Sequence, residues 1–575
     1  MPSTIEALQL LGERAISTSI HAVKKKKKPD WNLKLARYFA AGICGIIAVF
    51  VILHWTRIIY KKLGSKGRVF SPIVAITRRV RRQLLRSVPV YPSAGHLVVL
   101  IAFYVIHLAC TFVHFNRDDT EAWGKRLGWI STCDFVLVVV LSMRNTPMGL
   151  LTGYTYERLQ VLHRTAGYTA IFYMILHMIL YCINYGRNDK LDELKALNMV
   201  MGIIAGCAMF VMLILSLILR RHQYELFYAS HVCLFLLVTI TLGRHRPKWK
   251  KAVPQACVFA ACMWFIDRIC RRLRLFFNAI NNSATLTAVS DDGDGNATRI
   301  VLKKRLIGAR PGQHCFLWIP RIRPLETHPF TIVANGPGGL ELVATAHGGF
   351  TKSLYNYVSK SPSQPRTLWA SVDGPYGSFP DVHSYDRIIL VAGGSGATFT
   401  FGLATHLVEN LKTESQQKLD FIWSVRKNDR LAWFGSHIDT LTNFDAHVEM
   451  TVHVTADTPQ GLSTDSEGSL PVDSEKMHGS PLPSNSSADD EKAVQGRLSA
   501  PATALSCFGL KNIRYEKLRV AETIESIVST IGNGQRVLIA ACGPTGLMKD
   551  VRTAAAACIR PEGPSIELHY ESFAW

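Results

Sequence analysis

Seven apolar windows of about 20 residues dominate the first half of this chain, near 36–59, 95–115, 127–143, 162–183, 198–219, 225–246 and 252–270. A helix rises about 1.5 Å per residue, so windows of this length reach across the roughly 30 Å of a bilayer's hydrocarbon. In lipid every backbone N–H and C=O must be bonded internally, and consecutive windows of this kind then mean a bundle of transmembrane helices. The third window is the weakest, because Asp134 interrupts it. Beyond about residue 272 the apolar windows give way to a different pattern.

The 575-residue chain carries a formal charge of +22. That charge does not read as a nucleic-acid surface, because the basic runs Lys24 to Lys28, Arg78 to Arg86 and Arg268 to Arg274 sit at the edges of apolar windows. They are juxtamembrane charge. The densest basic loop holds Lys61, Lys62, Lys66, Arg68, Arg78, Arg79, Arg81, Arg82 and Arg86, and it is expected in the cytosol. Seven spans would then leave the C-terminal half cytosolic too, although Lys24 to Lys28 and the stretch Arg246 to Lys251 pull the other way. The 13 cysteines are scattered, mostly in apolar segments, with no CxxC pair. This suggests small buried residues and not a disulfide or zinc framework. No removable signal peptide is evident at the N-terminus, so the first span is expected to act as a signal anchor.

Four histidines stand inside these windows in two pairs, His163 with His177 and His231 with His245, each pair separated by 14 positions. At about 100° and about 1.5 Å per residue, both members lie near one helix face, about 21 Å apart along the axis. With the fourth and sixth spans both running outward from the cytosol, His163 meets His231 near the inner surface and His177 meets His245 near the outer. Ionisable groups are costly in lipid, and four at matched depths need one common purpose. Two facing imidazole pairs are a geometry for two stacked haems with bis-histidine ligation, and these four residues are the candidate metal ligands.

From about 283 onward, β-type runs at 284–289, 299–302, 314–319 and 339–344 are separated by Gly and Pro, which predicts a small antiparallel β-barrel. From 387 the order becomes strand, glycine turn, helix, with further strands at 419–425, 447–454 and 536–541. That alternation predicts a parallel α/β sheet. A Ser/Pro/acidic stretch at about 456–506 reads as a disordered surface insertion. The expected organisation is a basic segment at 1–35, a membrane domain at 36–272, a barrel at 283–380 and an α/β domain at 385–575.

The chemistry-bearing motifs fall in this second half. His328-Pro329-Phe330-Thr331 follows a barrel strand and could supply donors and a packed wall for a flavin. Gly348-Gly349-Phe350-Thr351 comes some twenty residues later, where Gly349 would let backbone N–H groups approach a diphosphate and Thr351 opens a helix. Gly374-Pro375-Tyr376-Gly377 closes the barrel section. Gly393-Gly394-Ser395-Gly396-Ala397-Thr398 joins the first α/β strand to its helix, where a helix N-terminus would face a dinucleotide's diphosphate. Arg426, after Trp423-Ser424-Val425, places a cation where a 2′-phosphate could be held, favouring NADPH over NADH. Cys542-Gly543-Pro544 puts a thiol at the carboxyl edge of the sheet. A transporter or channel with an attached nucleotide domain would explain the spans and the glycine turn. It would not explain four matched histidines joined to an HPFT strand.

In this order the motifs resemble ferredoxin–NADP reductase-type flavin dehydrogenases. Joined to Leu162-His163-Arg164 with Gly167, YELFYASH ending at His231, and Trp264 with Asp267-Arg268, the chain over about 95–575 resembles the fungal ferric-chelate reductases. It is more distantly similar to the superoxide-generating NADPH oxidases. The first span lies outside the six-helix core common to both and resembles the metalloreductase branch.

The resemblance implies FAD at His328 to Thr331 and Thr351, NADPH at the glycine turn, Arg426 and Cys542, and two haems b. An aromatic near the C-terminus would cover the flavin, with Phe573 the first candidate and Trp575 the second. It implies electron transfer from cytosolic NADPH to ferric or cupric complexes on the far face, in support of iron or copper uptake. Superoxide formation remains the alternative, since an oxidase shares every motif. The expected setting is the plasma membrane or a vacuolar membrane. The sequons at Asn281, Asn296 and Asn485 would then lie on the cytosolic side and go unused.

Overall fold

The computed structural model describes residues 31–571, apart from 64–70, 90, 92, 114–118, 249–250, 290–295, 362–363, 412–415 and 457–509 and the side chains of 60–63 and 71–74. Lys24 to Lys28, nearly all of the 456–506 insertion, Asn485, Phe573 and Trp575 lie outside the described residues. The chain divides into two compact units. One comprises residues up to 64 together with 99–268, and the other comprises 65–98 together with 269 onward.

The first unit is helical. Its elements are α1 (Trp31–Leu63), most of α3 (Ala94–Phe112), α4 (Thr120–Ser142), the short α5 (Met148–Thr152), α6 (Tyr156–Arg187), α7 (Leu197–His222), α8 (Tyr224–His245) and the first part of α9 (Ala252–Ala279); α2 (Ser71–Leu85) belongs to the second unit. Six helices among the described residues are long and apolar enough to cross a membrane: α1, α3, α6, α7, α8 and α9. The protein is therefore an integral membrane protein.

The expected third span is helix α4. It has the length, but Lys125, Arg126 and Asp134 keep it out of the apolar set. These charges are partnered. Asp134 is fully buried, with His107 Nε2 2.9 Å from Oδ1 and 3.0 Å from Oδ2, while His107 Nδ1–H donates to the Phe103 carbonyl at 2.8 Å. Buried Arg126 donates to Asn32 Oδ1 at 2.9 Å and to the carbonyls of Cys110 and Val113 at 3.0 and 3.1 Å, satisfying the open end of α3. Lys125 pairs with Glu121 one turn back. A hydropathy window counts such residues as cost; internal partners for each of them offset part of that cost.

The second unit holds two sheets. In the first, strands β1 (Ser283–Val289), β2 (Ala297–Leu302), β3 (His314–Trp318), β4 (His328–Gly336), β5 (Gly339–Thr345), β6 (Arg366–Trp369) and β7 (Ser371–Tyr376) run antiparallel in the order β6-β1-β2-β5-β4-β3-β7. The two ends of that order, β6 and β7, are separated in sequence by Ala370 alone. One chain segment therefore borders both edges, and the sheet curls on itself as a barrel does. Inward residues such as Leu286, Ile300, Leu317, Ile332 and Leu342 form its core, closed by Phe350 and Leu354 of α10 (Gly349–Val358).

The second sheet is wholly parallel, in the order β11 (Asn512–Arg514), β10 (Val448–Val454), β9 (Lys418–Val425), β8 (Arg387–Gly393), β12 (Arg536–Cys542), β13 (Ser565–Glu571). Helix α11 (Ala397–Glu409) is apolar nearly all round and is buried accordingly, with Phe399 and Phe401 fully enclosed. One apolar cluster takes in Val333 and Val343 of the first sheet, Phe399 and Phe401 of α11 and Leu390 of β8, so the two sheets share a core. The remaining α-helices among the described residues are α12 (Gly435–Thr442), α13 (Val520–Ser529) and α14 (Thr545–Cys558). Strands β1, β2, β3, β5, β8, β9, β10 and β12 lie within two residues of the runs expected from the sequence, which are short and apolar between turn residues. The expectation gave no bounds for β4, β6, β7, β11 or β13.

Candidate functional site

The histidines pair across α6 and α8 as their spacing predicts. Ring centres are 6.4 Å apart for His163–His231 and 6.4 Å for His177–His245. With a metal–imidazole bond of about 2.0–2.1 Å and a ring centre about 1.1 Å behind its nitrogen, two rings on opposite sides of one metal stand about 6.3 Å apart. Both gaps fit one metal ion between two imidazoles.

Protonation favours the same use. His163 Nδ1–H donates to the Val138 carbonyl at 2.9 Å, His177 Nδ1–H to Gly124 at 2.7 Å, and His245 Nδ1–H to Asn198 at 2.8 Å. His231 Nδ1–H reaches Ser216 Oγ at a long 3.5 Å, and that hydroxyl donates to the Met212 carbonyl at 2.6 Å. With Nδ1 engaged as donor, Nε2 is left as the lone-pair nitrogen, which is the tautomer a metal requires.

The acceptors belong to α4 and α7, helices without a ligand of their own. Along α4, residues 124, 131 and 138 face 177, 170 and 163 of α6, the middle rung being Ser131 Oγ donating to the Ala170 carbonyl at 2.8 Å. Each seven-residue step forward on α4 matches seven back on α6, as antiparallel packing of two helices demands. One turn after the acceptors of His177 and His245 stands a glycine in each case. An added Cβ would lie 2.8 Å from His177 Nδ1 at Gly128 and 2.4 Å from His245 Nδ1 at Gly202.

One turn after Val138 and Met212 stand Ser142 and Ser216. Gly128 with Ser142, and Gly202 with Ser216, thus repeat the 14-residue interval of the histidines themselves. The sequence reading missed these positions, although the interval was there to be found. Elsewhere in this unit Asp267 Oδ1 accepts from Asn145 N and Nδ2, both at 2.9 Å, and the Arg268 guanidinium lies over the Trp264 and Tyr228 rings. No side chain comes within 4 Å of a Cβ built at Gly167.

In the second unit the structure brings HPFT and GGFT together. The His328 ring stacks on Phe350 at 4.2 Å and 15°, and Phe330 lies 6.1 Å from the same ring. Pro329 is half-buried and Thr331 is buried on β4. Gly349 takes a left-handed φ of +49°, and Thr351 Oγ1 accepts from His347 N–H and donates to the Gly348 carbonyl. No side chain caps α10 at Gly348, so its first N–H groups are open to an anion beside a flat aromatic wall. A ring system with a diphosphate tail suits this surface. At the foot of the same barrel Arg274 Nε donates to Asp373 Oδ1 at 2.9 Å and the Tyr376 hydroxyl donates to Oδ2 at 2.8 Å, tying α9 to β7.

The nucleotide motifs also converge. The turn Gly393-Gly394-Ser395-Gly396 leads from β8 into α11, and Cys542-Gly543-Pro544 leaves the neighbouring strand β12. They interlock. A Cβ on Gly396 would lie 2.3 Å from the Cys542 carbonyl oxygen, and one on Gly393 2.8 Å from Pro544 Cδ. Trp423 Nε1–H donates to the Gly394 carbonyl at 3.1 Å, and Thr398 Oγ1–H to Ser395 at 3.0 Å. Arg426 is exposed just beyond the end of β9.

Cys542 is 2% exposed, and burial, aided by the Glu571 carboxylate, pushes its thiol well above the ordinary range. It sits there as a neutral thiol. Cys542 is in register with Glu571 at the end of β13, two residues before Phe573.

A helical membrane unit with two metal-ready histidine pairs, and a second unit joining a barrel-like sheet to a parallel nucleotide-type sheet, define a membrane oxidoreductase. Residues 127–242 match the ferric reductase like transmembrane component, 283–379 the FAD-binding domain and 385–556 the ferric reductase NAD binding domain. The chain belongs to the ferric reductase family, with its transmembrane, FAD-binding and NAD-binding domains.

Relatives include ferric/cupric reductase transmembrane component 1 of Candida albicans, 24% identical over 75% of this chain and 60% of the relative. Ferric reductase transmembrane component 6 of Saccharomyces cerevisiae is 23% identical over 80% of this chain and 62% of the relative. Component 5 of the same yeast is 24% identical over 92% and 75%. The chain thus spans between 60% and 75% of the length of these relatives.

Proposed function

We propose that this protein carries electrons from NADPH, by way of FAD and two haems b, across the membrane to ferric or cupric complexes on the opposite face, serving metal uptake. The observation that carries the reading is the pair of 6.4 Å imidazole gaps, each within reach of one iron. When bound, FAD converts a two-electron hydride into single electrons and the haems relay them. His163 and His231 would hold the haem nearer the flavin, and His177 and His245 the farther one. Helix α4 is the seventh crossing in this reading, supported by the internal partners of Arg126 and Asp134. It places the membrane domain at 36–272, the flavin domain at 283–380 and the nucleotide domain at 385–575, the last two in the cytosol.

The chain's own groups bind and orient. His328 and Phe350 form the wall against which the flavin packs, with Pro329, Phe330 and Thr331 behind it and Gly349 and Thr351 at its diphosphate. Gly393, Gly394, Ser395, Gly396 and Thr398 cradle the nucleotide diphosphate, while Cys542, Gly543 and Pro544 border the nicotinamide. Phe573, which lies outside the described residues, is the aromatic that would cover the flavin. The ferric and cupric acceptors follow from the names of the relatives, which bear both metals.

Purified protein in liposomes, given NADPH inside, is expected to reduce external ferric chelate or cupric ion faster than oxygen. Superoxide as the main product would replace this reading with an oxidase. Arg426→Gln is expected to raise KM for NADPH about tenfold or more while leaving KM for NADH unchanged, since a charge-assisted bond to a 2′-phosphate is worth roughly 1.5–3 kcal/mol. Equal effects on both nucleotides would remove Arg426 from the 2′-phosphate site.

A further inference from the structure

Helix α2 (Ser71–Leu85) has three distinct faces. On one, Arg78 Nη1 donates to the carbonyls of Pro561 at 2.9 Å and Gly563 at 3.2 Å, and Arg81 Nη1 to Ile566 at 2.7 Å. Leu85 packs on the apolar cluster of β12, α13 and α14, and Ser87 Oγ lies 3.4 Å from Thr553 Oγ1. This face grips the parallel-sheet domain.

At 100° per residue, Ile76, Val80 and Leu84 form a second face. They are 61%, 51% and 38% exposed, an apolar stripe with nothing of the domain over it. The third face is Arg79 and Arg82 with Arg86 just past the helix end, all exposed beside the stripe. The helix is tethered at both ends to membrane-crossing helices, to α1 across 64–70 and to α3 across 86–93. Chain segments of this length span at most roughly 23–29 Å when fully extended, which limits how far α2 can lie from a bilayer surface.

We propose that α2 is a lipid-facing brace: Ile76, Val80 and Leu84 enter the headgroup region, and Arg79, Arg82 and Arg86 bind anionic lipid headgroups. The opposite face, through Arg78 and Arg81, secures the nucleotide-binding domain to that surface. Apolar residues flanked by arginines are the composition of an interfacial helix, and each such cation adds attraction to an anionic leaflet. Were the occupant a protein, the stripe would have to serve it on a segment joining two membrane crossings, 17 positions after Ile59 and 10 before Ala94, where lipid is the neighbour already present.

The test uses the full-length protein in nanodiscs of phosphatidylcholine, with and without phosphatidylserine, and follows amide hydrogen exchange over 76–86. Exchange is expected to slow by about tenfold or more when phosphatidylserine is included, and the triple variant R79Q/R82Q/R86Q is expected to lose that gain. The pair I76S/V80S is expected to exchange faster than wild type in both lipids. Peptides from β12 and β13 report whether each variant keeps the parallel sheet folded. The same exchange in both lipids, an undiminished serine-lipid effect in the triple variant, or protection only in discs holding two copies would each overturn the proposal.

Discussion

In the proposed two-haem arrangement, Gly202→Ala is expected to cost the protein the haem held by His177 and His245 while leaving reduction of the flavin by NADPH intact. A Cβ at Gly202 would stand 2.4 Å from His245 Nδ1 and 2.7 Å from its Cε1, distances at which the ring must move. The ring has little freedom to do so, because Nδ1 is bonded to the Asn198 carbonyl, one turn before Gly202 on α7. Displacing it breaks that bond and turns Nε2 away from its partner across the 6.4 Å gap. Loss of an orienting bond to a ligating histidine lowers metal affinity by about 10–100-fold.

Gly128→Ala, at 2.8 Å from His177 Nδ1, is expected to act in the same direction and more weakly. Gly186→Ala on α6 meets nothing within 4 Å and serves as the control. Haem-to-protein ratio and the low-spin haem spectrum of purified protein give the readout. Two haems with an unchanged spectrum in Gly202→Ala would show that His245 is not a ligand.

Gly396→Ala is expected to weaken NADPH binding by about 10- to 100-fold and to lower the melting temperature. Its Cβ would meet the Cys542 carbonyl oxygen at 2.3 Å and the carbonyl carbon at 2.5 Å, with Gly543 N at 2.9 Å. All three are backbone atoms of the adjacent strand end, so relief requires β8 and β12 to separate where their turns interlock. Overpacking of this kind costs about 1–3 kcal/mol in stability, and it also displaces the N-terminus of α11 that would face the diphosphate in the proposed site.

Gly394→Ala separates the two effects. Gly394 has φ +55° and open space around it, so alanine there costs about 1 kcal/mol of backbone strain without a clash. NADPH titration by flavin reduction and thermal unfolding would measure both variants. Wild-type affinity in Gly396→Ala would place the nucleotide elsewhere.

Much of this architecture was readable from residue order because each signal was local. Apolar windows announced the crossing helices, and short apolar runs between glycines announced the strands. The four histidines could be matched because helical periodicity relates residues on one element. The third window shows the limit. Asp134 and Arg126 lowered its hydropathy, and their partners, His107 and the carbonyls at the end of α3, lie on another helix. The motifs were found one by one, but nothing in the order of residues placed His328 against Phe350 or Gly396 against Cys542.

The sequence by itself determined the helical and sheet-forming halves, the histidine pairs with their 14-residue interval, and the flavin and nucleotide motifs in their order. The tertiary structure decided which groups hold the histidines in the metal-binding tautomer, that α4 supplies two of the four acceptors, and that α2 grips the nucleotide domain with one face and leaves another bare. The physical reason is the range of the interactions. Periodicity and turn chemistry act within about one helical turn or one strand. A carbonyl accepting from an imidazole on the next helix depends on the register of packed helices, and that register is set only when the side chains of both surfaces interlock.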